Sequence, residues 1–233
     1  EFHTLGILQD ADAIFLHHGD GTRPKIASVG WPGLVGVVSG MNSHGVAAAM
    51  LVSLSSNPQL SHLPSVLAFR AFLERATSLD DAPAYFADNK VILPSNLALA
   101  DPTGTSVIEL NPYTGIAIRR PADGLLVCTN LFRSSLSNET AGDERYERLR
   151  EDALANPSSD IADIRRYLGG AMLQSERIQN FQAMIFVPAD RLLFLSALEV
   201  PAANGRFLRF DLARLFAVEP LAPAATGDAP PLP

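Results

Sequence analysis

The first side chain with a capacity for chemistry is Asn42, in the glycine-flanked stretch GMNSHG at 40–45. Its amide could donate a hydrogen bond to a substrate, because Gly40 and Gly45 permit positive φ and a close approach of the backbone. Apolar runs at 34–38 and 46–52 predict two buried strands joined by this polar tip. On spacing alone, an ordinary hairpin turn is the better explanation, since Asn and Gly are favoured turn residues.

A second polar position is Asn130, which follows an apolar stretch in the sequence LLVCTNLF at 125–132. The pattern predicts a strand over 125–128 that ends at Thr129-Asn130, so that Asn130 emerges at a sheet edge. Arg145 follows in the first turn of a predicted charged helix. Each feature alone is weak, because a Thr-Asn step usually ends a strand and an arginine on a charged helix is usually solvated.

Several familiar chemistries find no support in the sequence. There is no P-loop, nucleophile elbow, dinucleotide fingerprint or zincin motif. His17 and His18 are adjacent and would point to opposite faces of a strand, and the other three histidines lack ligand spacing. Cys128 is the single cysteine, which excludes an internal disulfide and a cysteine zinc site. We therefore expect neither a metal nor a cofactor.

The composition indicates a globular chain with a substantial core. Of its 233 residues, 47% are hydrophobic and 18% charged, and the net charge is −7. That charge gives no electrostatic reason to expect a nucleic acid or an anionic membrane as partner. The apolar runs are too short to cross a bilayer.

The order of the predicted elements indicates an α+β layered sandwich with antiparallel sheets. Pro64 opens a helix with an apolar stripe, and Ser78 with Asp81 resembles a capping box before a second helix. Further predicted strands, separated by tight turns, lie at 97–100, 106–110, 115–119 and 125–128. Helices follow over 143–154 and from Asp160 to the glycines at 169–170, then a hairpin of 181–187 with 191–197. We expect a single domain over 1–218 and a Pro/Ala-rich tail over 219–233.

Five segments in this order resemble a known family. They are WPGLVGVVSGMNSHG, PSVLAFRAFLERATSLDDA, LALADPTGTSVIEL, DGLLVCTNLF and ERYERLRE. Together they are similar to the acyl-coenzyme A:isopenicillin N acyltransferase-like group of N-terminal nucleophile amidohydrolases and acyltransferases, and more distantly to choloylglycine hydrolases. The resemblance covers about residues 13–197. It implies a four-layer αββα sandwich of two stacked antiparallel sheets, in agreement with the layers above.

The resemblance also implies a mechanism and a set of site residues. In the family, a processed amino-terminal cysteine is the nucleophile, and its own α-amine, with a pKa near ~8, serves as the base. Asn42 and Asn130 correspond to family positions that stabilise the oxyanion or hold the α-amine. Arg145, with Arg148 as an alternative, together with Met41 and Phe132, corresponds to substrate-binding positions. Asn42, Asn130 and Arg145 are then expected to converge on one cleft.

The start of the chain departs from the family pattern. It reads Glu1-Phe2-His3, with no amino-terminal cysteine and no Arg-Asn-x-Asp segment before the resemblance. Cys128 is expected to be an inert core thiol and not a substitute nucleophile. Three explanations stay open, of which the first is favoured: a fragment of a longer precursor without its first strand, a first segment carried on a separate chain, or an inactive relative.

The leading functional hypothesis is therefore part of a cysteine-dependent amidohydrolase or acyltransferase that acts on non-peptide C–N amide bonds. Its partner would be a small acylated amide or another acyl donor. The alternatives are a non-catalytic binding or structural module that retains the fold, and a phospholipase-like hydrolase of the same fold. The sequence leaves open a homo-oligomer, the acyl group, and the choice between hydrolysis and transfer.

Overall fold

In the described part of the chain, seven antiparallel strands form the larger sheet, and they are arranged in chain order. The computed structural model describes residues 13–18, 21–53, 57–134, 136, 142–171, 180–197 and 199–218. The strands are β1 (Ala13–His17), β2 (Ile26–Gly30), β3 (Ser39–Asn42), β4 (Ala47–Val52), β5 (Ser95–Asp101), β6 (Gly104–Asn111) and β7 (Gly115–Arg119). Short turns join the last three, as the tight turn signals predicted. Asp101, for example, accepts hydrogen bonds from the backbone N–H groups of Thr103 and Gly104 and so closes the β5–β6 turn.

Two helices, α1 (Ser65–Leu73) and α2 (Ala82–Asp88), cover one face of this sheet. Phe69, Phe72 and Phe86 are almost fully buried, and Phe86 lies 5.7 Å from Phe69 and 5.3 Å from Phe72 between ring centroids. They share a core with apolar side chains from the sheet, among them Ala48, Leu97, Leu99, Ile108 and Leu110. The burial of each aromatic side chain contributes about 1.5–3 kcal/mol, so these three rings anchor the helices on the sheet.

A smaller sheet lies against the opposite face. Its order is β10–β9–β8, with β8 (Ala183–Val187), β9 (Leu192–Ser196) and β10 (Leu208–Asp211) all antiparallel. Leu193 and Leu195 of β9 pack in one cluster with Val29 and Met41 of the larger sheet. The short helix α5 (Leu212–Phe216) closes the same cluster.

The fourth layer is helical. Helix α3 (Glu144–Ala155) packs on α4 (Ile161–Ala171), and Leu168 of α4 packs on Ala183 of the smaller sheet. The layers are thus helices, sheet, sheet and helices, which confirms the predicted αββα sandwich. The predicted hairpin is also confirmed, since β8 pairs with β9 from Ala183↔Ser196 to Val187↔Leu192.

One predicted core strand is wrong in position. The apolar run 34–38 is not a strand, and the strand that pairs with β4 is β3, at Ser39–Asn42. The Val37 backbone N–H bonds the carbonyl of Val66 at the start of α1, 2.9 Å away, while Val35 is 65% exposed. Gly36 permits this approach, because a Cβ there would lie 2.6 Å from the Val66 side chain. The run therefore packs on the helix at Val37 and bonds to the sheet at its end, where the Val38 carbonyl accepts a hydrogen bond from the Met50 backbone N–H of β4 at 2.9 Å.

The predicted strand 125–128 is also wrong, since these residues join neither sheet. Among the described residues, the Leu125 backbone pairs only with Ala122, in an isolated bridge, and the Val127 carbonyl accepts a hydrogen bond from Arg119 Nη1 at 3.0 Å. Side chains therefore satisfy this backbone where a neighbouring strand was expected.

Within the described part of the chain, none of the helices is long and apolar enough to cross a membrane. The predicted tail, 219–233, falls outside the described residues, and the single-domain prediction stays a prediction.

Candidate functional site

Asn42 lies at the end of β3, fully buried, with every hydrogen-bonding position of its side chain occupied. Its Nδ2 donates to the carbonyls of Leu73, at 2.9 Å, and Ala76, at 2.8 Å, at the end of α1. Its Oδ1 accepts from the backbone N–H groups of His44 and Val46, both at 3.0 Å. The amide thus closes the turn at 42–46, hereafter the Asn42 turn, and ties it to α1. This differs from the expectation that Asn42 presents a donor to an oxyanion, because both amide hydrogens are already engaged.

Asn130 and Arg145 do come together. Arg145 Nη2 donates to Asn130 Oδ1 at 2.8 Å, and Asn130 Nδ2 donates to the carbonyl of Val52 at 2.7 Å. Both side chains are half-buried, and the second amide hydrogen of Asn130 has no acceptor among the described residues. This pair therefore offers a neutral donor that is held in place by an arginine.

The structure does not bring Asn42 to this pair. Asn42 is bonded to Val46, just before β4, whereas Asn130 is bonded to Val52, the last residue of that strand. Six residues of strand span roughly 20 Å at about 3.3 Å per residue. The predicted convergence of three side chains is thus reduced to two.

Neither Met41 nor Phe132, the other two predicted substrate-binding residues, has an exposed side chain. Met41 is fully buried between the sheets, in the cluster that contains Leu193 and Leu195. Phe132 is only 4% exposed to solvent and lies in the same loop as Asn130. Both side chains are core residues in this structure.

Asn130 lies in a loop formed by residues 125–134, hereafter the Asn130 loop. Asn96 of β5 holds this loop in place. Asn96 is fully buried, and its Nδ2 donates to the carbonyls of Thr129 at 2.8 Å and Leu131 at 3.0 Å. These two carbonyls flank Asn130, so that one amide fixes the backbone on both sides of the candidate donor. The Oδ1 of Asn96 is buried without a hydrogen-bond partner among the described residues.

Glu109 fastens the same loop further along. It is the cross-strand neighbour of Asn96, is fully buried, and accepts from the backbone N–H groups of Arg133 at 2.8 Å and Ser134 at 3.0 Å. The Nε of Arg119 lies 2.8 Å from the carboxylate and neutralises its charge. Neither Asn96 nor Glu109, hereafter the clamp residues, was among the candidate residues predicted from the sequence. Their signal was a polar residue within each apolar strand, in SNLALAD and SVIELN.

Helix α3 is placed by Asp143. The Asp143 side chain caps the helix by accepting from the Tyr146 backbone N–H at 3.1 Å, and it also accepts a hydrogen bond from the Thr129 hydroxyl. A carboxylate at a helix N-terminus is favoured by the exposed N–H groups there. This contact joins the first turn of α3 to the residue before Asn130 and thereby sets Arg145 beside it.

Cys128 lines an apolar cavity of about 460 Å³ between the sheets. The floor is formed by small side chains of the larger sheet, and Phe186 and Ile164 form the opposite wall; the floor residues are Ala47, Ala49, Ala98 and Ala100. Burial raises the pKa of the Cys128 thiol to about 12, although Arg119 acts in the other direction. The thiol is therefore protonated at neutral pH and is a poor nucleophile.

Within the described ranges, no group of three His, Cys, Asp or Glu side chains is placed to hold a metal ion. The arrangement around Asn130 can instead polarise a carbonyl oxygen through a neutral donor and bind a carboxylate through Arg145. Both interactions are suited to acyl transfer.

Comparison with known proteins agrees with this architecture. The family described as acyl-coenzyme A:6-aminopenicillanic acid acyl-transferase matches residues 8–168 of the chain. The fold is similar to that of penicillin V acylase from Agrobacterium tumefaciens, with a TM-score of 0.62 and 16% identity over 88% of this chain and 80% of that one.

Two further solved structures share the fold. A variant of conjugated bile acid hydrolase from Clostridium perfringens has a TM-score of 0.60 and 12% identity over 82% of this chain and 78% of that chain. An N-acylethanolamine-hydrolyzing acid amidase ortholog from Caenorhabditis elegans has a TM-score of 0.58 and 15% identity over 87% of both chains. A separate comparison with curated protein sequences finds no match.

Proposed function

The chain belongs to the acyl-coenzyme A:6-aminopenicillanic acid acyl-transferase family, and from this membership we propose that it forms part of a cysteine-dependent amidohydrolase or acyltransferase. Its substrate would be a small acylated amide whose C–N bond is not a peptide bond. The observation that supports the proposal is the Asn130–Arg145 pair, in which Arg145 holds the amide oxygen of Asn130 at 2.8 Å and one amide hydrogen stays available.

The reaction has two halves. A cysteine thiolate attacks the carbonyl carbon of the amide, the C–N bond breaks, and the amine leaves with the proton that the thiol lost. Water or a second amine then attacks the thioester, and the thiol is released with its proton. The negative oxygen of each tetrahedral intermediate would accept the available hydrogen of Asn130 Nδ2, an interaction worth about 3 kcal/mol.

The clamp around Asn130 fits this role. Because Asn96 holds the carbonyls of Thr129 and Leu131, the backbone of Asn130 is fixed on both sides. Arg145 fixes the amide oxygen, so the donor needs no reorganisation when charge develops on the substrate. The other N–H groups of Arg145 are suited to a substrate carboxylate.

A second candidate is a non-catalytic module that retains the fold. The observation in its favour is Cys128, the single cysteine of the sequence, whose burial raises its pKa to about 12. The enzyme proposal therefore needs a cysteine other than this one.

The experiment uses protein expressed from the complete gene and a set of N-acyl-4-nitroanilides with acyl groups of different sizes. Released 4-nitroaniline is measured by absorbance, and acid-quenched samples are analysed by intact mass and peptide mapping. Amine release with the acyl group on a cysteine other than Cys128 supports the enzyme. Acylation of a serine or threonine contradicts the cysteine mechanism. Absence of both release and adduct across the set contradicts the enzyme and favours the non-catalytic module.

A further inference from the structure

Four arginine side chains line a cavity that is separate from the Asn130–Arg145 pair. The cavity has a volume of about 420 Å³ and lies between β7, the start of the Asn130 loop and α3. Among the described residues of its lining, the arginines are Arg119, Arg120, Arg133 and Arg150, and Asp123 is the one acidic residue. This concentration of guanidinium groups contrasts with the net charge of −7 for the chain. The rest of the lining is largely apolar, with Leu125, Leu126, Val127 and Leu154.

Two of these guanidinium groups carry buried N–H donors that have no hydrogen-bond acceptor among the described residues. Arg119 uses Nε for Glu109 and Nη1 for the Val127 carbonyl, but its Nη2 is buried without an acceptor among the described residues. Arg133 likewise has no acceptor there for its buried Nε and Nη2. Among the described residues, Arg133 Nη2 forms ion pairs with the carboxylates of Asp143 at 3.7 Å and Glu147 at 3.9 Å, and both distances are too long for a hydrogen bond.

The position of Arg133 is fixed by an aromatic ring. Its guanidinium carbon lies 3.8 Å from the ring centroid of Tyr146, which leaves the edge of the planar group for hydrogen bonds. Tyr146, Arg150 and Leu154 recur at four-residue spacing and so share one face of α3, while Arg145 does not line the cavity. Arg150 is exposed and forms no ion pair within the described part of the chain, whereas Arg120 pairs with Asp80 at 2.8 Å.

We propose that this cavity binds a small amphipathic anion, a molecule with an apolar body and a carboxylate or phosphate group. A buried guanidinium N–H without an acceptor costs free energy, and an oxyanion group supplies several acceptors to such a fork at once. The apolar lining from Leu125, Leu126 and Leu154 would cover the body of the ligand. The proposal requires no catalytic activity and is independent of the proposed function.

Three probes with a common phenyl body test the ligand chemistry. They are 3-phenylpropionate, phenyl phosphate and the neutral 3-phenylpropan-1-ol, titrated into the protein by calorimetry and by amide NMR. We expect one or both anions to bind with shifts at the amides of 119–127 and 146–154, and the alcohol to bind at least about tenfold more weakly, since charged hydrogen bonds are lost. Binding of one anion alone identifies the oxyanion group that the cavity selects.

The matched variants are Arg150→Ala, in the cavity, and Arg209→Ala, an exposed arginine on β10 of the other sheet. Both remove one positive charge. Arg150→Ala should weaken anion binding about tenfold, whereas Arg209→Ala should change it less than about twofold. The proposal is overturned if neither anion binds at millimolar concentration, if the alcohol binds as tightly as the anions, or if the two variants weaken binding equally.

Discussion

The Asn42 turn and the Asn130 loop each present an asparagine after an apolar run, yet their hydrogen bonds differ. All four hydrogen-bonding positions of the Asn42 side chain are engaged by the chain itself, and the side chain is fully buried. Asn130 has one donor bonded to Val52, its acceptor bonded to Arg145, and one donor that no described residue uses. An asparagine whose hydrogen bonds are all internal can only stabilise the fold, while one with an unused and oriented donor can act on a ligand.

Replacement of Asn42 should have the largest effect, and it should fall on stability. Asn42→Ala removes four hydrogen bonds and leaves buried carbonyl and N–H groups unpaired, so the unfolding free energy should fall by roughly 4 kcal/mol at about 1 kcal/mol each. Urea denaturation measures this, with the exposed Asn57→Ala as the control. Activity per folded molecule should change less than about tenfold. A stable variant with a hundredfold lower kcat would restore the catalytic role that the sequence suggested.

Replacement of Asn130 should have the opposite profile. Asn130→Ala should lower kcat for amide cleavage about a hundredfold or more, since one oxyanion donor is lost. The change in unfolding free energy should be about 1–2 kcal/mol, because the side chain makes two hydrogen bonds with described residues. Steady-state kinetics and urea denaturation are compared with those of Asn57→Ala. If the wild-type protein is active and Asn130→Ala leaves kcat unchanged, Asn130 is not part of the catalytic site.

Asn96 should show an intermediate effect on both quantities. Asn96→Ala releases the carbonyls of Thr129 and Leu131, so we expect a loss of about 2 kcal/mol in unfolding free energy and about tenfold in kcat. The double variant with Asn130→Ala separates positioning from general destabilisation. If Asn96 acts through Asn130, adding Asn96→Ala to Asn130→Ala should leave kcat almost unchanged. Additive losses in kcat would mean that Asn96 affects catalysis by another route.

Cys128 should have the smallest effect on activity. Because burial raises its pKa to about 12, the native thiol should react slowly with a disulfide reagent at pH 8 and rapidly after unfolding in urea. Cys128→Ala should retain activity within about twofold, as expected of a residue outside the chemistry. Fast native labelling with loss of activity would make Cys128 the nucleophile.

The same raised pKa has a defined effect on stability. The unfolded chain loses the thiol proton above about pH 9, whereas the folded protein keeps it until about pH 12. The Cys128 contribution to the unfolding free energy is therefore present below pH 9 and is lost as the pH rises towards 12. The pH dependence of Cys128→Ala should be flatter over this interval, and an identical dependence in both proteins would contradict the shift.

Much of the fold could be predicted from sequence because it depends on local patterns. The predicted strands 106–110 and 115–119 correspond to β6 and β7. The capping box of Ser78 with Asp81 and the 181–197 hairpin also lie where cap and turn signals placed them. The run 34–38 could not be placed, because a continuous apolar segment packs equally well on a helix or in a sheet. Only the contact of Val37 with Val66 decides between them, and that contact is set by tertiary structure.

The candidate site was predictable only in part for a related reason. The sequence places Asn130 and Arg145 near the ends of adjacent elements, and the structure brings their side chains together. What the sequence does not contain is the count of hydrogen bonds at each asparagine. Both amide hydrogens of Asn42 are bonded to the carbonyls of Leu73 and Ala76, more than thirty positions away along the chain. The clamp residues Asn96 and Glu109 are neighbours only through the cross-strand register of β5 and β6.

The bonds from Asn42 to the end of α1 also have a consequence for how the molecule opens. The β3–β4 connection and the last turn of α1 share one side chain, so neither can unfold alone without leaving the polar atoms of that side chain or its partners unpaired. They should behave as one cooperative unit of local unfolding. In native-state hydrogen exchange, the amides of Val46 and Ala76 should accordingly share one opening free energy and one dependence on denaturant.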